Sequence, residues 1–187
     1  MKSGGVQNFA KLGWGVLFAL SLFVLGGCTA TPPQDIQPVS PFSLDRYLGL
    51  WFEQARLDHS FERGMSHVTA EYRLQNDGSV QVLNRGYLAD KKTWKEAEGR
   101  AVFIGASDVA ALKVSFFGPF YGGYFVAALD KDYRWALVVG PNRDYFWILT
   151  RERILPDETR VELVAKAEAL GIDTSKLIWV DQTQPKP

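Results

Sequence analysis

The chain has one cysteine, Cys28, in 187 residues. That excludes an internal disulfide framework and a structural zinc site built from several thiolates. Neither sign of charge dominates: 21 Lys and Arg stand against 21 Asp and Glu. Such a balance sets up no global field to attract nucleic acid or an anionic membrane face. The two histidines, His59 and His67, are not spaced as a metal pair on one element. Neither lies beside a Ser or Cys nucleophile pattern. Gly122-Gly123 lacks the residues that make a phosphate-binding loop. No cofactor, no metal and no catalysis are expected from these absences.

What is present is apolar. Hydrophobic residues make up 47% of the chain and aromatics 13%. That supplies one packed core and is too rich for intrinsic disorder. The length favours a single domain.

The first segment reads as an address. Lys2 and Lys11 are the only charges before Asp35, and Leu12 to Leu25 is an apolar run. The run is short for a membrane-spanning helix, which takes about 20 residues. Its length and basic flank fit a secretory signal peptide over residues 1–27. The run ends in Leu25-Gly26-Gly27-Cys28, which resembles the bacterial lipobox. The resemblance implies that the Cys28 thiol takes a diacylglyceryl group and that the new amino terminus is acylated, with a fatty acid such as palmitate. Several acyl chains anchor durably where one binds only marginally. The same resemblance implies sorting to the outer membrane, since Thr29 stands where an Asp would signal inner-membrane retention, and the periplasmic face is expected. Cleavage removes two lysines and no acid, leaving 19 basic against 21 acidic side chains. Residues 28–42 contain Pro32, Pro33, Pro38 and Pro41 and are expected to form an extended tether. Residues 182–187 are expected to be a disordered tail.

Residues 43–181 carry the folded domain. The pattern is mostly of period two, the strand signal. Strands are expected at 49–56, 68–74, 80–87, 124–129, 133–139 and 144–151, with two more within 94–104 and 110–117. Asn76-Asp77-Gly78-Ser79 is a hairpin turn. Short turns and no intervening helix make the sheet antiparallel. An eight-stranded antiparallel up-and-down meander closes into a β-barrel most economically, because closure removes exposed edges. One C-terminal α-helix follows Pro156, with an apolar stripe of Val161, Leu163, Val164 and Leu170 and a stop at Gly171. It is expected to pack outside the barrel on Trp135, Leu137 and Val139. A short final strand lies within 176–180.

This order of elements, with three motifs in sequence, resembles the lipocalin family. The motifs are Gly49-Leu50-Trp51 opening the first strand, Asp144-Tyr145 before the eighth, and Arg151 at its end. The stretches 51–56 and 112–124 are similar to the bacterial lipocalin subfamily related to apolipoprotein D. The resemblance implies that Gly49, Trp51 and Arg151 close one end of the barrel. Arg151 would stack on the Trp51 indole, a contact worth about 0.5–2 kcal/mol.

Alternation from Trp51 and Arg151 then sorts the strands. It points Ala55, Tyr72, Val82, Asn84 and Phe103 inward. On the later strands it points Leu112, Val114, Phe116, Tyr124, Val126, Val138, Tyr145 and Trp147 inward. Such a wall favours an acyl chain, and with the family it implies a fatty acid or lysophospholipid as ligand. Glu53 shares the parity of Trp51 and is expected to be a hydrogen-bonded structural carboxylate. The loop after residue 56 is expected across the mouth. There Phe61 and Met65 would cap a ligand and Arg56, His59 or Arg63 would meet an anionic head group, unless the loop is simply solvated. Phe117, Phe120 and Tyr121 form an apolar cluster, read as a lid, a membrane contact or a self-association patch that leaves a homodimer open. Some lipocalins catalyse through a cavity thiol, but Cys28 is committed to the anchor. The expected function is binding, storage or transport of lipid in the cell envelope. The alternative is an interaction scaffold with a vestigial pocket.

Overall fold

The computed structural model describes residues 30–183. The signal segment, Cys28 and residues 184–187 lie outside them. Eight strands run up and down: β1 (Gly49–Arg56), β2 (Met65–Leu74), β3 (Val80–Leu88), β4 (Thr93–Phe103), β5 (Ala111–Phe117), β6 (Phe120–Leu129), β7 (Trp135–Val139) and β8 (Phe146–Thr150). Each pairs antiparallel with the next, and β1 pairs with both β8 and β2, which closes the ring. One short helix, α1 (Leu44–Tyr47), precedes the barrel, and α2 (Asp157–Ala169) follows it. A two-residue strand, β9 (Ile178–Trp179), pairs with Ala55 and Arg56 of β1.

Local chemistry explains the turns. Between β2 and β3, Asp77 Oδ1 accepts from the backbone N–H of Ser79 at 3.0 Å and from its hydroxyl at 2.6 Å. Gly78 takes the positive φ, +80°, that this turn requires. The alternating strands put loops 57–64, 89–92, 118–119 and 140–145 at one end of the barrel and 75–79, 104–110 and 130–134 at the other. The second end is closed by α1 and Trp51.

Two apolar clusters share the sheet. The inner one holds Trp51, Tyr72, Val126, Ala136, Val138 and Leu149. The outer one joins Trp135, Leu137, Val139 and Ile148 to Leu163 and Ala167 of α2. The helical stripe is narrower than the sequence suggests. Val161 is 70% exposed, because two residues advance about 200° around the axis from Leu163.

Two bulges change the parity of side chains. One lies between Glu53 and Ala55 in β1, the other between Val126 and Ala128 in β6. Beyond them Ala55 and Ala128 belong to the outer cluster and not to the lumen.

The proline-rich segment is not a free tether over its described part. Ile36 and Phe42 are buried. The Val39 N–H donates to Val126 O at 2.9 Å, and Val39 O accepts from Ala110 N at 2.9 Å. Proline removes donors but leaves carbonyls and intervening N–H groups free to join a sheet edge. The expected tail likewise begins too early. Gln182 is buried, and its side-chain amide donates to the carbonyls of Glu53 and Val68, both at 2.8 Å.

Candidate binding cavity

The closed end is built around one ring. Trp51 is fully buried, and its indole N–H donates to Tyr47 O at 2.8 Å. The Arg151 guanidinium lies 3.9 Å from the ring centroid. It also donates to the carbonyls of Leu50, Arg46 and Leu48 at 2.7–2.9 Å. Gly49 turns the chain with a φ of +89° directly beneath Arg151. Val126 and Val138 are also fully buried in the inner cluster that holds this ring.

Above this ring the lumen holds a cavity of about 620 Å3 that reaches the open rim. That volume lies within the range of small-molecule sites. Tyr72, Val82, Asn84, Leu112, Val114, Phe116, Tyr124, Tyr145 and Trp147 line it. Four residues assigned to the wall by alternation do not. Val126 and Val138 are fully buried within the inner cluster and border none of the hollow. Phe103 packs on Phe42, with ring centroids 6.3 Å apart, under the end cap. Ala55 is carried outside by its bulge.

Small residues keep the hollow open. Ala70, Ala97, Ala101 and Gly122 take lumen positions. A Cβ on Gly99 would lie 2.8 Å from the Phe116 ring, so the missing side chain lets that ring lie across β4. Lys95 also lines the cavity near the rim and has no ion-pair partner among the described residues. The alternation Lys95, Ala97, Gly99, Ala101 would have found it.

The polar groups form two clusters. Deep in the lumen, Tyr124 OH lies 2.7 Å from Tyr47 OH and 2.8 Å from Tyr72 OH. Burial raises all three phenols above their ordinary value, so the trio is uncharged at neutral pH. Nearer the mouth, Arg56 is only 1% exposed. Its Nη1 donates to Glu53 Oε1 at 2.7 Å, and Nη2 donates to the carbonyls of Glu62 and Met65 at 2.8 and 3.2 Å. Arg56 is thus the end of a strand, locked by the returning loop, and not a free cation for a head group.

Burial first, then the charge of Glu62, holds the Glu53 carboxyl well above the usual range against the pull of Arg56. Burial raises Glu62 too, opposed by a hydrogen bond from Trp147 and by Arg56. Two buried acids thus lie in the field of one guanidinium, which bonds the carboxyl of Glu53 alone. Asn84 presents a buried side-chain oxygen with no partner among the described residues.

The loop over the mouth is ordered by stacking. His59 lies parallel to Tyr145 at 4.7 Å and to Phe61 at 5.2 Å between ring centroids. Burial lowers its pKa, with Arg56 acting in the same sense, which favours the neutral ring. Arg63 forms an exposed pair with Asp58 at 2.5 Å. Neither side chain points a free charge into the cavity.

The chain is 52% identical over 168 residues to the outer membrane lipoprotein Blc of Escherichia coli (strain K12), covering 89% of this chain and 95% of that one. It is 34% identical over 168 residues to apolipoprotein D of Cavia porcellus, covering 86% and 85%. The structure superposes on insecticyanin from the tobacco hornworm Manduca sexta with a TM-score of 0.64 at 22% identity, covering 80% of this chain and 86% of that one, which shows the fold alone. The lipoprotein relatives place the chain at the outer membrane with a lipid anchor. Its barrel is that of a binder of small hydrophobic ligands. Residues 42–182 match the lipocalin-like domain, and the chain belongs to that family.

Proposed function

We propose that this barrel binds lipids with one acyl chain, fatty acids or lysophospholipids, and stores or transports them at the bacterial outer membrane. The observation that carries this reading is the open, mostly apolar cavity of about 620 Å3. Apolar surface removed from water is worth roughly 25 cal/mol per Å2, so an acyl chain supplies the main driving force. The polarity of the wall orients it. The tail goes toward Tyr72 and Tyr124, where every hydroxyl already has a partner. The head stays toward the rim, where Lys95 has no ion-pair partner among the described residues, with the unpartnered Asn84 oxygen halfway down the wall.

A scaffold with a vestigial pocket is less well supported, since side chains do not fill the lumen. The same geometry favours binding over catalysis. The two lumen carboxylates are tied to Arg56 and Trp147 and not aimed at a ligand.

The test is a fluorescence titration using Trp147, which stands in the wall. A long-chain fatty acid and a lysophospholipid should quench it with Kd below about 100 μM, near −5.5 kcal/mol. If neither ligand binds more tightly than that, lipid carriage fails.

A further inference from the structure

We propose that the open rim docks on the membrane that anchors the chain, with the tip of the β5–β6 hairpin entering the lipid surface. The proposal deepens the carrier reading and rests on it for its purpose. It also rests on acylation of Cys28. It commits to one occupant of the apolar rim, a phospholipid surface.

The path of the amino-terminal segment carries the argument. Arg143, in the open-end loop 140–145, donates through Nη2 to Gln34 O at 2.7 Å. Ile36 then packs in the outer cluster on the barrel wall. Val39 bonds to β6, and the Phe42 N–H donates to Asp108 O at 2.8 Å in the closed-end loop 104–110. The chain therefore climbs the outside of the barrel from the open rim to the closed end. Followed backward, it arrives at the rim that holds the cavity mouth. From Gln34 to Cys28 is six residue steps, at most about 22 Å of chain. A ten-residue strand such as β6 is about 33 Å long. The anchor is thus leashed to the mouth and not to the closed end.

The rim has the surface such a placement needs. Residues 114–129 contain no charged side chain. At the tip of this hairpin Phe117 is 81% exposed and Phe120 79%. Phe61, on the neighbouring mouth loop, is 57% exposed. Large apolar side chains clustered in water mark a contact surface, and aromatic rings suit the boundary between head groups and tails. Lys113 stands behind the tip, its ammonium 5.0 Å from the Tyr121 ring, at the level where a phosphate would lie. The rim also carries charge, the Asp58–Arg63 pair and Asp90-Lys91-Lys92, but the closed end shows no exposed aromatic ring among the described residues. Its turns carry Asp77 paired with Arg100 and Asp130 paired with Arg134, with Lys131 and Asp132 beside them. The exposed Leu74 and Ile154 at that end are set singly among these charges. A mouth facing its own membrane would take up a lipid without carrying the apolar tail through water.

The experiment uses the acylated full-length protein in vesicles of phosphatidylethanolamine and phosphatidylglycerol. Acylation uses the Cys28 thiol, so a second cysteine labels uniquely. An environment-sensitive dye is placed at Phe117→Cys, at Phe120→Cys as an independent repeat, and at Asp77→Cys on the closed end. Nitroxide-bearing phospholipids then quench from within the bilayer. Both rim dyes should shift to the blue and lose at least half of their emission, while the dye at 77 loses less than a tenth. Equal or reversed quenching overturns the proposal. So does a blue shift at the rim without lipid quenching, which would mean that a second copy covers it. A fatty-acid titration on the same samples separates the two readings. Ligand binding with unquenched rim dyes overturns docking and leaves carriage standing. Quenched rim dyes without ligand binding support docking and remove carriage.

Discussion

The Trp147 indole N–H donates to Glu62 Oε2 at 3.0 Å, fastening the loop over the mouth to the cavity wall. The same Glu62 offers its carbonyl to Arg56 at 2.8 Å, so one residue ties the loop to β1 and β8. Trp147→Phe would leave a buried carboxylate oxygen without its donor, at a cost of about 1–3 kcal/mol. Amide exchange across 57–64 should speed up at least tenfold, while exchange in β5 stays as in the wild type. Hydrogen-exchange mass spectrometry on the ligand-free protein decides it. Unchanged exchange in the loop would show that stacking on His59 alone holds it.

The buried carboxylates predict a pH dependence of definite sign. Both Glu53 and Glu62 are raised above their ordinary values, chiefly by burial. A raised carboxyl holds its proton more tightly in the folded state. Its contribution is full below the unfolded value, near 4.3, and is lost as pH rises through the folded value. Glu62→Gln removes one of the two acids in the field of Arg56. Between pH 5 and pH 8 its Tm relative to wild type should therefore rise, levelling off once the folded carboxyls have ionised. A difference that stays flat over that window would show that Arg56 neutralises both acids.

Arg151 is expected to matter to stability and not to ligand affinity. Arg151→Ala removes the stack on Trp51 and three hydrogen bonds to carbonyls that gather the start of β1. The loss should be about 2–4 kcal/mol, or roughly 6–12 °C in Tm. Thermal unfolding followed by circular dichroism measures it. Arg151→Lys should recover less than half, because an ammonium cannot fork to several carbonyls while stacking.

Two alanines separate the inside of the barrel from the outside. Ala97 lines the cavity, and Ala97→Trp should occupy the hollow and weaken fatty-acid binding at least thirtyfold with little change in Tm. Ala55 is fully buried in the outer cluster. Ala55→Leu should overpack it, costing about 1–3 kcal/mol, while affinity stays within threefold. A loss of affinity in Ala55→Leu would place that side chain in the lumen after all.

Much of the barrel was legible because its strands alternate. Val68 to Leu74 and Val80 to Tyr87 show which faces meet water, and the register follows. What failed to show was where alternation breaks. Nothing in Glu53-Gln54-Ala55 marks a bulge, since all three residues are buried, and parity counted from Trp51 goes wrong there. Packing among inward side chains was equally hidden. Val126 and Val138 have the right parity and still border none of the hollow, because a pattern of faces does not show which inward side chains their neighbours cover. Arg56 was misplaced for a related reason. Its burial depends on a carboxylate three residues earlier and on accepting carbonyls in a loop whose path the sequence does not declare. The prolines before residue 42 suggested an extended tether, but the described part turns at Gln34-Asp35, where the Ile36 N–H donates to Pro33 O, and then runs along the barrel wall.

The seam beside β9 has a consequence for how the molecule can be handled. Strand β1 meets β2 only from Gly49 to Phe52, and where the two part, the last described residues step between them. Val180 N serves Gln54 O, Asp181 O serves His67 N, and the Gln182 amide spans both strands. The carboxy-terminal stretch is therefore a stave of the cask. Shortening the chain before Leu177 would leave a slot in the wall, and anything appended after Gln182 hangs from the fabric of the container itself.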